Sequence, residues 1–194
     1  MHFGRANAMA RPLLAASLVV GWAMISPVAQ AESLPASLRP TLADTHQQQT
    51  PQQQWLMRQW RDRMDAPLSD FIPAPTQRRE LLTTIYQEAR LAGLPPALVL
   101  ALIHVESAFD ADAVSSAGAV GLMQIMPFWV EELGLPVDDL RRPTRNLRYG
   151  CTILAHYLAV ENGDFTRALA RYNGSLGDTW YPERVLHAWR DHWQ

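Results

Sequence analysis

Between Leu98 and Val105 the chain reads Leu-Val-Leu-Ala-Leu-Ile-His-Val, and a glutamate, Glu106, follows at once. Pro95-Pro96 stands just ahead, and proline is favoured in the first turn of a helix, so the pattern predicts a helix from Ala97 to about Ser107. A helix that is apolar nearly all round must be buried. The rest of the chain is therefore expected to wrap around this segment, which leaves a carboxylate at the rim of the core. Burial disfavours the ionised form, and so does the partly negative end of a helix. Both push the pKa of Glu106 upward, as a general acid working near neutral pH requires. Placement alone leaves an ordinary solvent-facing glutamate in the last turn as the alternative.

The flanking sequence is helical and punctuated. Leu81, Leu82, Ile85, Tyr86, Ala89 and Ala92 recur on one face at helical spacing, and Gly93 supplies the stop. Asp110 to Gly121 is rich in Gly, Ser and Ala and reads as loop. Pro127 opens a short helix closed by Gly134, and Thr144 to about Val160 forms the next, with Leu147, Cys151, Leu154 and Leu158 as its apolar stripe. Asn162-Gly163-Asp164 makes a turn and an N-cap for Phe165 to Tyr172. A last helix runs from about Pro182 to Trp193. No alternating run is long enough for a substantial sheet, so the fold class is mainly α, with little or no sheet.

Composition narrows the function classes. The 194 residues are 48% hydrophobic, which suits one packed domain with an appendage and excludes a chain disordered throughout. One cysteine excludes a disulfide scaffold. The 19 acidic residues outnumber the 17 basic ones, and no basic block appears, which argues against a nucleic-acid partner. Residues 1–31 read as a secretory signal peptide: Arg5 and Arg11 lead, Leu13 to Ile25 is apolar, and Ala29-Gln30-Ala31 offers a cleavage site. The apolar run is short for a membrane span, so export to the periplasm with no stable span after cleavage is expected. An uncleaved anchor is the weaker alternative. Residues 32–76, with two Gln triplets and several prolines, are expected to be an extension or linker, helical in part between Gln52 and Met64. Residues 77–194 then form the domain.

Four motifs stand in order along that domain. Glu106-Ser107-Ala108-Phe109 comes first, then Gly121-Leu122-Met123-Gln124-Ile125-Met126-Pro127, Asn146-Leu147-Arg148-Tyr149-Gly150, and Ala168-Leu169-Ala170-Arg171-Tyr172-Asn173-Gly174. The set resembles the soluble lytic transglycosylases, relatives of goose-type lysozyme that cleave peptidoglycan, over roughly Gln77 to Trp189. The resemblance implies a lysozyme-like single domain with a catalytic groove and Glu106 as the one catalytic acid and base. It implies that Ser115 steadies the sugar or the glutamate, and that Met123, Gln124 and Met126 line the groove. Tyr172 and Asn173 would face the glutamate, Tyr181 and Val185 would form a late Tyr–Val pair, and Tyr172, Asn173 and Tyr181 would count among the residues that bind the sugar. Without the resemblance the two methionines and Tyr172 would pass as core filling, Gln124 as a loop amide, and Asn173 as part of a helix C-cap.

The same resemblance implies the reaction. Glu106 would protonate the oxygen between N-acetylmuramic acid and N-acetylglucosamine, then take the proton of the muramoyl C6 hydroxyl as a 1,6-anhydro ring closes. Peptidoglycan glycan strands would be the partner, and small relatives often open the wall for a secretion or conjugation apparatus. Two places depart from the family pattern. Asp110-Ala111 replaces Asn-Pro, and Gly177-Asp178-Thr179-Trp180 replaces a Glu-Thr-Arg run, where Trp180 offers a stacking surface instead. Two rivals remain. One is a hydrolytic muramidase in which Asp110 or Asp112 activates water, and the other is a non-catalytic wall-binding assembly module. Neither cofactor nor metal is expected: His104 and Glu106 point to different sides of a helix, no His-Glu-x-x-His occurs, and Cys151 with His156 is poorly spaced for a thiolate–imidazole pair.

Overall fold

The computed structural model describes residues 49–132 and 139–194; the expected signal peptide, the start of the extension and Gly134 lie outside them. Seven helices are present among the described residues: α1 Pro51–Leu68, α2 Pro75–Leu91, α3 Pro96–Ser107, α4 Phe128–Glu132, α5 Pro143–Val160, α6 Phe165–Asn173 and α7 Trp180–His192. Four of them (α1, α2, α3 and α5) open with proline, whose fixed φ and missing N–H suit a first turn. The only pairing of extended backbone among these residues is two isolated bridges, Val114 with Val120 and Val120 with Ile125. The mainly α expectation is met.

Helix α3 is the hub. Every side chain from Leu98 to Ile103 is fully buried, because α2 packs on one side of it and α7 on another. Helix α5 lies against α2 and α6, and α6 against α7. Between α2 and α5 a charged pair is buried: Arg148 donates to both carboxylate oxygens of Glu88, one at 3.1 Å. Cys151 is a buried free thiol on the inner face of α5, and burial pushes its pKa well up. Asp164 caps α6 by accepting from Arg167 N at 3.0 Å, and Gly174 ends it in the left-handed conformation. Glu161 accepts from Arg167 and Arg171 beside that cap.

Part of the expected linker is core. Helix α1 opens with a capping box between Thr50 and Gln53 and buries Trp60, Met64 and Leu68. Trp60 packs on Tyr86 of α2 with ring centroids 5.4 Å apart, while Trp55 faces outward. Arg78 then stitches the α1–α2 turn, donating to both oxygens of Asp65 and to the carbonyls of Ile72 and Pro73. The packed body therefore begins at least as early as Pro51, not at Gln77.

Candidate active site

Helix α3 stops abruptly after the glutamate. Ala108 and Phe109 both adopt positive φ, 48° and 68°, without being glycine. Two such residues in succession cost backbone energy that the surroundings must offset. Phe109 is held by its ring, which packs on Phe71 and Trp193 at 5.0 and 5.4 Å. The reversal fixes the height of Glu106, and Ser107 locks it by donating to Leu122 O at 2.9 Å.

The segment Gly121 to Met126 lies across the end of α3 and is seated by α5. Asn146, fully buried, accepts from Met123 N at 2.7 Å and donates to Val120 O at 2.7 Å and Leu140 O at 2.9 Å. Gly121 must be glycine: its φ is +77°, and an added Cβ would lie 2.5 Å from Asn146 Nδ2. One turn after Asn146, Gly150 leaves room for Met123, whose Sδ would lie 2.4 Å from any Cβ placed there. The Asn-x-x-x-Gly spacing thus puts a clamp and a notch on one face of α5. The motif is visible in the sequence, but the clamp and the notch exist only once the Gly121–Met126 segment lies over them.

Helices α6 and α7 then meet the Glu106 carboxyl group. The Tyr181 hydroxyl, on α7, donates to Glu106 Oε1. Tyr172, on α6, donates from its hydroxyl to Met123 O at 2.8 Å and lies within the field of Glu106. Burial raises the Glu106 pKa to about 7, with the Tyr181 hydrogen bond and the nearby Arg184 charge pulling the other way. Both phenols are pushed well above their ordinary value by burial and by the neighbouring carboxylate, so they stay neutral donors. At neutral pH the site holds a carboxyl group balanced between its two protonation states.

The other expected residues divide. Met126 and Asn173 are half-exposed on the segment and at the end of α6. Gln124, at φ +51°, spends its amide on the loop, donating to Gly121 O at 2.9 Å and Ala113 O at 3.3 Å. Ser115 Oγ accepts from Ala119 N at 3.0 Å, closing its own turn. Two expectations need correction. The Met123 side chain is fully buried against Gly150, because its backbone carbonyl and not its sulfur faces Tyr172. Tyr181 is buried with its hydroxyl committed to Glu106, so it serves the acid and offers little surface to a sugar. Asp110 and Asp112 are exposed, and Asp110 Oδ1 is taken by Asp112 N at 2.9 Å. Among the described residues no three His, Cys, Asp or Glu side chains come together to hold a metal ion.

Comparison with known proteins gives one pattern. A transglycosylase from Enterobacteria phage PRD1 is 34% identical over 101 residues, covering 48% of this chain and 37% of that protein. An endo-type membrane-bound lytic murein transglycosylase A from Klebsiella pneumoniae is 35% identical over 102 residues, covering 46% of this chain and 47% of its own length. The chain thus spans less than half the length of either relative. Among solved structures, an inactive mutant of lytic transglycosylase Slt from Pseudomonas aeruginosa matches with TM-score 0.45 and 28% identity, over 57% of this chain and 22% of that one. The family model described as transglycosylase SLT domain matches residues 83–185, from α2 into α7, and takes in Glu106, the Gly121–Met126 segment, Asn146, Tyr172 and Tyr181. By that match the chain belongs to the transglycosylase SLT family.

Proposed function

We propose that the protein is a lytic transglycosylase that cleaves the β-1,4 bond between N-acetylmuramic acid and N-acetylglucosamine in peptidoglycan. The observation that carries this is Glu106, a carboxyl group with a pKa near 7 held by Tyr181 at the end of a buried helix. Protonated, it gives its proton to the bridging oxygen as the C1–O bond breaks. Ionised, it takes the proton of the muramoyl C6 hydroxyl, whose oxygen bonds to C1 and closes a 1,6-anhydro ring. The proton returns to Glu106 and no water is consumed. The attacking hydroxyl belongs to the same sugar, so its attack needs no second molecule held in place. Ser115, Gln124, Met126, Tyr172 and Asn173 would position the sugars around it.

Mass spectrometry of digested sacculi tests this directly. Anhydro ends are expected, whereas reducing ends heavier by one water would establish the hydrolytic muramidase. Asp110→Asn with Asp112→Asn separates the same two mechanisms. A lone acid predicts less than about a tenfold loss, while a water-activating aspartate predicts at least about a hundredfold.

Periplasmic action after cleavage of residues 1–31 belongs to the same proposal, and N-terminal sequencing of the exported protein tests it. Service to a secretion or conjugation machine extends it. That extension rests on the small size of the catalytic domain, and cross-linking in intact envelopes tests it.

A further inference from the structure

Next to the catalytic residues a cleft of about 570 Å³ opens between α3 and α7, lined in part by His104, Val105, Trp180, Glu183, Arg184 and His187. It reaches toward the acid through Arg184, which lines the cleft and whose charge acts on Glu106, and through Trp180, the chain neighbour of Tyr181. Trp180 is 48% exposed, with its ring edge-on to Tyr181 at 5.8 Å, so an aromatic surface faces outward there without an evident structural duty. One turn further along α7 sits Arg184, whose charge is felt at both Glu106 and His104. Among the described residues the side chains of Arg184 and Glu183 form no ion pair or hydrogen bond. Asp191, by contrast, is engaged by Arg190 and His187. The cleft therefore offers one unengaged cation, one unengaged anion and an aromatic face.

A neutral sugar calls for no such pair of charges. We infer that this cleft is the subsite for the peptide stem of the glycan, with Arg184 taking a stem carboxylate, Glu183 an amine of a diamino acid, and Trp180 covering the backbone between them. The inference rests on the peptidoglycan-cleaving function proposed above. A muramic acid whose glycosidic oxygen lies at Glu106 carries its peptide on the same ring, which brings the stem to the neighbouring cleft.

Calorimetric titration of the full chain carrying Glu106→Gln tests the subsite without turnover. The ligands are the N-acetylglucosaminyl-N-acetylmuramic disaccharide, the same disaccharide bearing a tetrapeptide with a diamino acid, and the free tetrapeptide. The peptide-bearing sugar is expected to bind about fivefold more tightly than the bare one, the upper range for an exposed charge pair. Adding Arg184→Gln should close most of that gap, and Arg184→Lys should restore part of it. Equal affinities for the two sugars, or an Arg184→Gln effect that is the same on both, would overturn the subsite. Its failure is separable from failure of the lytic function. A wild-type chain that leaves sacculi intact while the gap persists refutes the function alone, and sacculus cleavage with no gap refutes the subsite alone.

Discussion

The Tyr181 hydroxyl donates to Glu106 Oε1 across 75 residues of sequence, joining the last helix to the central one. A donor at that oxygen stabilises the ionised carboxylate, and so does the positive charge of Arg184. Tyr181→Phe and Arg184→Ala should each therefore raise the Glu106 pKa above about 7. A general acid is active when protonated, so the alkaline limb of the pH–rate profile for sacculus lysis should move to higher pH in both variants. A limb that stays in place, or moves down, would separate these residues from the acid.

Glu106→Gln should abolish lysis by at least about a hundredfold while retaining glycan binding, as expected for loss of a general acid. The same variant should gain stability at alkaline pH. The carboxyl group titrates near 4.5 when unperturbed and about 7 in the folded chain, so the folded state holds the proton more tightly. Its contribution is fully present below 4.5 and is lost as pH rises through 7, by at most about 3 kcal/mol. Differential scanning calorimetry should find the variant and wild type equal near pH 4, with the variant melting higher at pH 8.

Asn146→Ala would strand Met123 N and Leu140 O and take one of two donors from Val120 O, which keeps Ile125 N at 3.0 Å. Leaving buried polar groups unpaired costs about 1–3 kcal/mol each where no water replaces the partner. A fall of several degrees in Tm is expected, together with weaker binding of glycan oligomers. Asn146→Asp should not rescue it, because an ionised carboxylate accepts from Met123 N but cannot donate to the two carbonyls.

Gly150→Ala should destabilise by about 1–3 kcal/mol through overpacking against Met123. The double change with Met123→Ala should cost less than the sum of the two single changes, since the new methyl group enters the space the sulfur leaves. Chemical denaturation of the four proteins in that cycle measures the coupling. Strict additivity would mean that the two side chains do not meet.

Cys151 should resist thiol reagents until the chain unfolds, because burial both shields the sulfur and keeps it protonated. Labelling with and without denaturant checks this. Rapid reaction of the native protein, or a disulfide-linked dimer, would place the sulfur at the surface.

Residues whose role depends on local spacing were legible in the sequence. Leu98 to Val105 announced a buried helix, Glu106 its misplaced charge, Asp164 a cap and Cys151 an inward face. Roles that depend on long-range contact were not. Asn146 looks like any polar residue at the start of a helix until the Gly121–Met126 segment is laid over it. Met123 presents its carbonyl where only its side chain could have been guessed. Helix α1 was legible between Gln52 and Met64, but its place in the core was masked by composition: the glutamines around Trp55 read as extension, although Trp60, Met64 and Leu68 form a sparse inward stripe. A stripe of three in eighteen residues carries little signal until α2 and its Arg78 supply the other side.

Chain order gives the burial of Glu106 beneath α7 a meaning in time. Glu106 is synthesised well before α7, and a glutamate without that cover is an ordinary carboxylate, fully ionised at neutral pH and unable to serve as an acid. A carboxyl group that holds its proton near neutral pH therefore arises only when α7 docks. Under the lytic function proposed above, a chain whose synthesis stops short of α7 would carry the glutamate without the surroundings that make it an acid.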